Sequence, residues 1–486
     1  MTPRVLDGVE PALLWERFLE LTRIARPSKA EGAAREHVLE WARARDLPSR
    51  VDAEGNVVVL VPPTAGRDAA PAVVLQSHLD MVCERDPSST YDPREGRIDV
   101  RVEGDWVRAE GTTLGADNGI GVAAALAFTE DSELPHGPLE LLFTVSEEQG
   151  LDGARMLDAS LVSGRLLVNL DGTSDDGFTV GCAGSDHTFL KLPLAPGSLP
   201  PDRVALRVEL SGARGGHSGE DIVKGRANAI KCLGRVLSAA YADAAFELSA
   251  ISGGVSRNAI PRDAHALVAV PAERVDAFGA AAAAAMEGLL RRYAGTDDGL
   301  GLSIDEAEPV VAADLGTSLR ALDLVAAIPT GVVAMSPRIP GVVETSTSLT
   351  VASTDENGVL TLSCMARSSS APALDELLVA MKALARLASA QMDMRRSYPP
   401  WEPRLDSPLL DTAKRTYHRL FDAEPVLTVV HGGLECAVLG QKLPGVQMVS
   451  IGPEVVGPHA PGEKLSISST QRFYRLLGGL LDDFSS

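Results

Sequence analysis

The stretch VVLQSHLDMV, Val73 to Val82, begins as a buried strand and ends on His78 and Asp80, two polar side chains two positions apart. Valine and leucine on both faces of a short run predict a strand covered from both sides, the texture of a largely parallel sheet under helices. An imidazole and a carboxylate at the end of such a strand lose hydration unless a partner meets them there. The run thus points to an α/β fold and directs attention to the ends of its neighbouring strands.

Working outward, NVVVLV (56–61), LELLFTVS (139–146) and RLLVNLD (165–171) share that texture, and GIGVAAALAFTEDS lies between two of the runs as a helix. Ahead of them, LLWERFLELTRIA and EGAAREHVLEWARARD repeat apolar residues at helical spacing, so two helices precede the first strand. Near Leu194 the texture changes to PLAPGSLPPD, a Pro-rich turn or linker. Alternating strands such as RVALRVELSG and Ala-rich helices such as VDAFGAAAAAAMEGLLRRYA follow it; the six-Ala run at 280–285 reads as helix propensity. A second domain is therefore expected to start between about 185 and 200. After the polar break SYPPWEPRLDSP (397–408), the helix LLDTAKRTYHRLF and the strand VQMVSIGP (446–453) look like a return to the first domain. The expected division is 1–186 with 396–486 for one domain, and 187–395 for an α+β domain inserted into it.

The chain has 486 residues, beyond the roughly 100–200 of a single domain, and its composition of 45% hydrophobic and 23% charged residues is globular. A net charge of −21 with no long Lys/Arg run argues against nucleic-acid and anionic-membrane partners, because the field repels polyanions. Its plain reading is a soluble cytoplasmic surface. The N-terminal MTPRVLDGVEPALLWERF has charges within its apolar stretch, so no secretory signal is expected, and no run of about 18 apolar residues suggests a membrane span. Five cysteines, odd in number and without a CxxC pair, fit reduced thiols in a cytosol.

Charge gathers where the strands of the first domain end. His78 and Asp80 follow AVVLQS, Glu147 and Glu148 follow LLFTVS, and Asp171 ends RLLVNLD. Asp117 sits in the Gly-rich GTTLGADNGIG, which runs into a helix, and His459 sits in GPEVVGPHAPGE beyond the late strand. In an open α/β sheet the carboxyl ends of the strands form one rim, where ligands bind. Imidazole and carboxylate suit zinc, and two His with several carboxylates exceed the needs of one ion, so two ions bridged by one carboxylate are preferred. With Asp117, Glu148 and Asp171 as ligands, three negative charges face four positive ones, which leaves one for a hydroxide to balance. Alternation along an extended strand would put Asp80 beside His78, fixing its tautomer while His78 binds metal. Adjacent Glu147 and Glu148 would point opposite ways if extended, one to ligate and one to take a proton from water. Each piece also has a plain reading, as a loop hydrogen bond, a solvated acidic pair, a helix cap or a turn residue.

The segments VVLQSHLDMV, GTTLGADNGIG, SEEQGLDGA, GGHSGEDI, SRNAIPR, GVVETS, HGGLEC and MVSIGP with GPHAPGE resemble, in order, the motifs of the aminoacylhistidine (Xaa-His) dipeptidases, also called cytosolic nonspecific dipeptidases. These belong to a di-zinc clan with carnosinases and aminoacylases. The resemblance runs from the N-terminal helices to the last strand. It implies a di-zinc catalytic domain with a helix-covered mixed sheet, interrupted by an α+β lid that mediates dimerisation in many relatives. Carried over motif by motif, His78 and Asp171 hold one zinc, Glu148 and His459 the other, and Asp117 bridges them. Glu147 becomes the general base and Asp80 the partner of His78, and the bond from Asp117 to Asn118 is expected to be cis, which a non-proline residue adopts only where its surroundings impose it. His217 in GGHSG becomes a donor to the substrate carbonyl, in related enzymes reaching the partner subunit's active site. Asn258 is a second substrate contact, Arg367 in CMARSS grips a terminal carboxylate with its forked guanidinium, and Gly432 and Gly433 allow close backbone approach. Where relatives read ETSLN this chain has ETSTSLT, and DGTSDDG replaces a more acidic turn, which puts side-chain specificity in doubt.

The reading that follows is metal-dependent hydrolysis of unblocked dipeptides, with zinc expected and manganese or cobalt acceptable to such a site. An aminoacylase or carboxypeptidase of the same clan is the alternative, and a non-catalytic binding protein a further one. HSG at 217–219 lacks the G-x-S-x-G elbow of a serine hydrolase, and no P-loop or dinucleotide fingerprint is present.

Overall fold

A computed structural model describes residues 5–131, 134–194, 201–308 and 311–486 of the chain. The Pro-rich stretch 195–200 and the first four residues, on which expectations were placed, lie outside the described residues. Two compact units emerge: one of residues 1–182, 401–430 and 434–486, the other of residues 183–400 and 431–433.

The first unit is built on an eight-stranded mixed sheet, in the order Ser49–Val51, Val57–Val61, Leu139–Thr144, Val73–His78, Leu166–Asn169, Gln447–Ser450, Gly177–Cys182, Val426–Val430. Val73–His78 runs parallel to both of its neighbours, and Gln447–Ser450 is parallel to Leu166–Asn169. Four successive strands therefore end on the same rim. All six residues of Val73–His78 are buried, as are those of Leu139–Thr144, which is why their sequences read as continuous apolar runs. Helix Ala116–Glu130 packs on this sheet through small side chains, with Ile120 through Phe128 all buried. Helix Ala12–Leu21 contributes Leu14, Trp15, Phe18 and Leu21 to the core, and the C-terminal helix Ile467–Phe484, capped by Ser466, contributes Phe473, Leu476, Leu477, Leu480 and Leu481. A four-stranded antiparallel sheet of Val455–Val456, Lys464–Ser466, Trp106–Ala109 and Val100–Glu103 was not anticipated. Its strands have two to four residues and expose much of what they carry, so they lack a periodic signature.

The second unit holds a nine-stranded antiparallel sheet. Along it run Gly301–Glu306, Arg203–Ser211, Ala264–Pro271, Glu247–Gly253, Val343–Thr354, Val359–Ser368, Gly184–Pro193 and Gln391–Tyr398, with Gly331–Met335 also paired to Val343–Thr354. Leu206, Val208 and Leu210 of RVALRVELS alternate inward, as one covered face requires. They meet Val236, Leu237, Phe278, Leu324 and other residues of the overlying helices. The Ala-rich helix Val275–Arg292 buries Phe278, Ala282, Met286 and Leu289, a stripe at helical spacing. A separate two-stranded ribbon pairs Gly216–His217 with Ala259–Ile260. Among the described residues no helix is long and apolar enough to cross a membrane.

Candidate metal centre

Five segments of the first unit converge at the shared rim. His78 is the last residue of its strand and almost fully buried. Its Nε2 lies 3.0 Å from Asp117 Oδ1 and 3.6 Å from Asp171 Oδ1. His459 Nε2 lies 3.2 Å from the other Asp117 oxygen and 3.0 Å from Glu148 Oε2. Asp117 thus sits between two imidazoles, one oxygen toward each, with a second carboxylate beside each imidazole. Donor atoms of His78, Asp117 and Glu148 all lie within 4.8 Å of one another.

Local backbone explains the arrangement. Asp117 and Asn118 leave helical geometry within Ala116–Glu130 (φ/ψ −78/110 and −108/31), and the peptide bond joining them is cis, as expected. Ser146, between strand Leu139–Thr144 and Glu147, has φ 51°, and His459 has φ 67°. The strand before His78 stops at His78, so the extended alternation expected through Asp80 and through Glu147–Glu148 is absent; these residues lie on turns instead. Asp80 still reaches the imidazole, with Oδ1 3.3 Å from His78 Nδ1. Fully buried, it also accepts the backbone N–H of Glu147 (3.0 Å) and Glu148 (3.2 Å) and the Ser28 hydroxyl (2.7 Å). One carboxylate therefore orients the imidazole and the Glu–Glu turn together.

The electrostatics describe a cluster too acidic for its burial. Desolvation pushes Asp171 up to about 7, helped by the charge of Asp117 and opposed by His78. Burial pushes Glu147 well above the usual carboxylate range, His78 opposes it, and Asp171, Glu148 and Glu435 add to it. Burial acts against the charged form of His78, yet the charge of Asp171 and hydrogen bonds donated to the surrounding carboxylates raise its pKa well above normal. Hydrogen bonds to Asp117 and Glu148 bring His459 to about 11. Desolvation of Asp117 is outweighed by its two imidazole partners, so it stays ionised.

The donor set fits two divalent cations. Ligand atoms around one zinc, each at about 2.1 Å, stand roughly 3.4 Å apart on a tetrahedron, close to the spacings here. Glu148 Oε1 is buried with no hydrogen-bond partner, an acceptor that a cation would satisfy.

The remaining sequence-singled residues lie in the second unit. His217 and Asn258 belong to the two-stranded ribbon and the loop beside it, where Ser218 N–H donates to Asn258 O at 2.7 Å. The backbone N–H of Glu220 donates to His217 Nδ1 (3.2 Å), which leaves the proton of a neutral ring on Nε2. Burial and then Arg367 lower its pKa. Arg367 is buried, donates to the Tyr398 hydroxyl at 3.1 Å and makes no ion pair among the described residues; its Nε has no partner. A Cβ on Gly433 would lie 2.7 Å from the Tyr398 ring, so the glycine is needed for that approach.

Sequence reasoning missed several residues. Arg26, Ser28 and Glu31 hold the turns around Asp80 and Ser146. Glu435 is fully buried, accepts from Gln76 (2.6 Å) and Thr144 (2.7 Å), and is pushed up to about 7 by burial. His431, whose Nε2 lies 2.7 Å from Ser346 Oγ, belongs to the second unit, and Glu463 is almost fully buried. Glu435 and His431 stand in HGGLEC and Glu463 in GPHAPGE, motifs singled out only for other members.

The fold and centre are those of a peptidase: residues 74–483 match the model of peptidase family M20/M25/M40, and the chain belongs to that family. It is a peptide hydrolase with the mixed α/β fold of catalytic and lid domains. More particularly, it is 36% identical to the cytosol non-specific dipeptidase of Escherichia coli (strain K12) over 98% of this chain and 99% of that one. It also superposes on the crystal structure of aminoacylhistidine dipeptidase from Vibrio alginolyticus with a TM-score of 0.90 and 34% identity, covering 98% and 97% of the two chains. Aminopeptidase PepT from Bacillus cereus, at 14% identity and a TM-score of 0.57 over 98% and 100% of the chains, shares the fold.

Proposed function

We propose that the protein hydrolyses the peptide bond of unblocked dipeptides, Xaa-His among them, with two zinc ions in the first unit. The observation that carries this reading is the Asp117 carboxylate set between His78 and His459, 3.0 and 3.2 Å from their Nε2 atoms. The 36% identity to a dipeptidase over nearly the whole chain supports it. His78 and Asp171 would hold one ion, His459 and Glu148 the other, and Asp117 both. When bound, such a pair polarises a scissile carbonyl and makes water a nucleophile near neutral pH. Glu147 takes the proton of the attacking water and returns it to the leaving amine. Asp80 holds His78 and the Glu147 amide in register. His217 donates from Nε2 to the carbonyl oxygen as charge develops there, and Asn258 and the Gly433 backbone contact the substrate. Arg367, buried and without an acidic partner among the described residues, receives the C-terminal carboxylate and so limits the length of the peptide. The second unit acts as lid and dimerisation domain, and the cytoplasm is the compartment.

Release of free amino acids from β-Ala-His, Gly-His and Leu-Gly, beside N-acetyl amino acids and a tripeptide, tests the reading. Metal-loaded protein is expected to cleave only the free dipeptides and to lose that activity on chelation. Activity confined to acetylated substrates would make it an aminoacylase, and inactivity on every substrate with both ions bound would make it a binding protein.

A further inference from the structure

Glu463 follows His459 by four residues and is 1% exposed. Its Oε2 accepts the backbone N–H groups of Leu114 (2.7 Å) and Gly115 (2.9 Å), and its Oε1 those of Ala116 (2.8 Å) and Asp117 (3.3 Å). Four successive amides end on one carboxylate. The amino end of a helix leaves such groups unsatisfied and partly positive, and a side chain at the adjoining N-cap normally serves one of them. Here the N-cap is Gly115, without a side chain, and the acceptor comes from about 350 residues away, on the segment that carries His459.

Arg26 grips the same loop. It too is 1% exposed, and its guanidinium donates to Gly115 O (2.5 Å), Leu79 O (3.1 Å) and Asp80 O (2.9 Å). The Gly115 residue is thus held by its N–H through Glu463 and by its C=O through Arg26. Glycine suits both places: Gly115 has φ 71°, and a Cβ on Gly115 or on Gly119 would stand 2.5 or 2.6 Å from the Arg26 Nη2, so the buried guanidinium would have to shift. Through these two side chains the loop before Asp117 is tied to the segment of His459 on one side and to the turn after His78 on the other. Asp117 needs that support because its own φ/ψ are not helical and the helix does not set its place.

We propose that Glu463 and Arg26 are positioning residues that place the Asp117 carboxylate between His78 and His459 before any ion arrives, and so set the spacing of the two metal positions. The inference rests on the two-metal reading above. Removing Glu463 leaves four amides without an acceptor and frees the loop, which acts on both ions because Asp117 faces both imidazoles.

Calorimetric titration of metal-depleted protein with Zn2+ and Mn2+, with EPR of the manganese form, tests it. The wild type is expected to bind two ions and to give the signal of an exchange-coupled manganese pair. Glu463→Gln is expected to bind both about 10- to 100-fold more weakly, the effect usual for groups that orient ligands. Its signal at full loading is expected to be that of uncoupled ions, and Glu463→Asp, which keeps the charge, is expected to recover part of both properties. Equal affinities and an equal coupled signal in Glu463→Gln would overturn the inference while leaving two-metal binding intact; a wild type that binds fewer than two ions would overturn the underlying reading. Should the variants not fold, hydrogen exchange of the wild type decides. Protection of the Leu114–Asp117 amides in the metal-depleted chain equal to that in the loaded chain supports a preset loop, whereas protection only after loading overturns it.

Discussion

Glu147 and Asp80 are both acidic and both feel the charge of His78, yet their surroundings drive them apart. Asp80 receives hydrogen bonds from His78, Ser28 and two amides, which outweigh its desolvation and hold its pKa below normal; Glu147 is desolvated among other carboxylates and is held above it. The first is an orienting anion, and the second is able to accept and return a proton. Glu147→Gln is expected to lower kcat by about 10²- to 10⁴-fold, the usual contribution of a general base, with metal content and KM little changed. Full activity in that variant would remove Glu147 from the role. The residue types were legible because imidazole and carboxylate at the ends of apolar strands are conspicuous. The turns that aim them were not, since a positive φ at Ser146 follows from what surrounds the turn and has no pattern in SEEQG.

At the scale of elements, the site depends on strand ends and loops packed backbone to backbone. The amide of Gly172, next to Asp171, donates to Ile451 O at 3.0 Å, and a Cβ there would lie 2.6 Å from the Ile451 carbonyl carbon and 2.7 Å from Gly452 N. No flexible side chain is available to yield. Gly172→Ala is therefore expected to cost about 1–3 kcal/mol, as overpacking does, and to weaken metal binding by moving Asp171. Gly279 gives the contrast: it lies inside helix Val275–Arg292 with nothing near its Cβ direction, so Gly279→Ala is expected to stabilise by about 0.5–1 kcal/mol. Urea midpoints of the two variants check both signs, and a drop for Gly279→Ala or no drop for Gly172→Ala would contradict the packing argument. Long covered strands and helices were readable from their periodicity; the short strands around Trp106 and Lys464 were not, because three or four partly exposed residues carry no period.

For the whole molecule, buried histidines kept neutral make the fold sensitive to acid. Burial, then Arg367 and His217, bring His431 down to about 4, and burial is likewise the leading cause for His217 and His187 in the second unit and for His37 and His136 in the first. An unfolded histidine takes up its proton near pH 6.5, so between that value and about 4 the unfolded chain holds a proton at the His431 position that the folded chain does not. The contribution of His431 to stability therefore falls as the pH is lowered through this window. His431→Gln, which keeps a partner for Ser346, is expected to lose less stability than the wild type between pH 7 and 5; an equal loss in unfolding midpoints would exclude His431 as a contributor. The sequence by itself determined the α/β class, the order of the main elements, the residue types at the strand ends and, through motif resemblance, the family, because hydrophobic period and side-chain chemistry are local properties. Only the tertiary structure decided that Asp80 accepts the Glu147 and Glu148 amides, that His431 joins the second unit, and that Glu463 holds four amides about 350 residues away. Those relations consist of hydrogen bonds and burial between segments remote in the chain, and such partners leave no periodic trace in either segment alone.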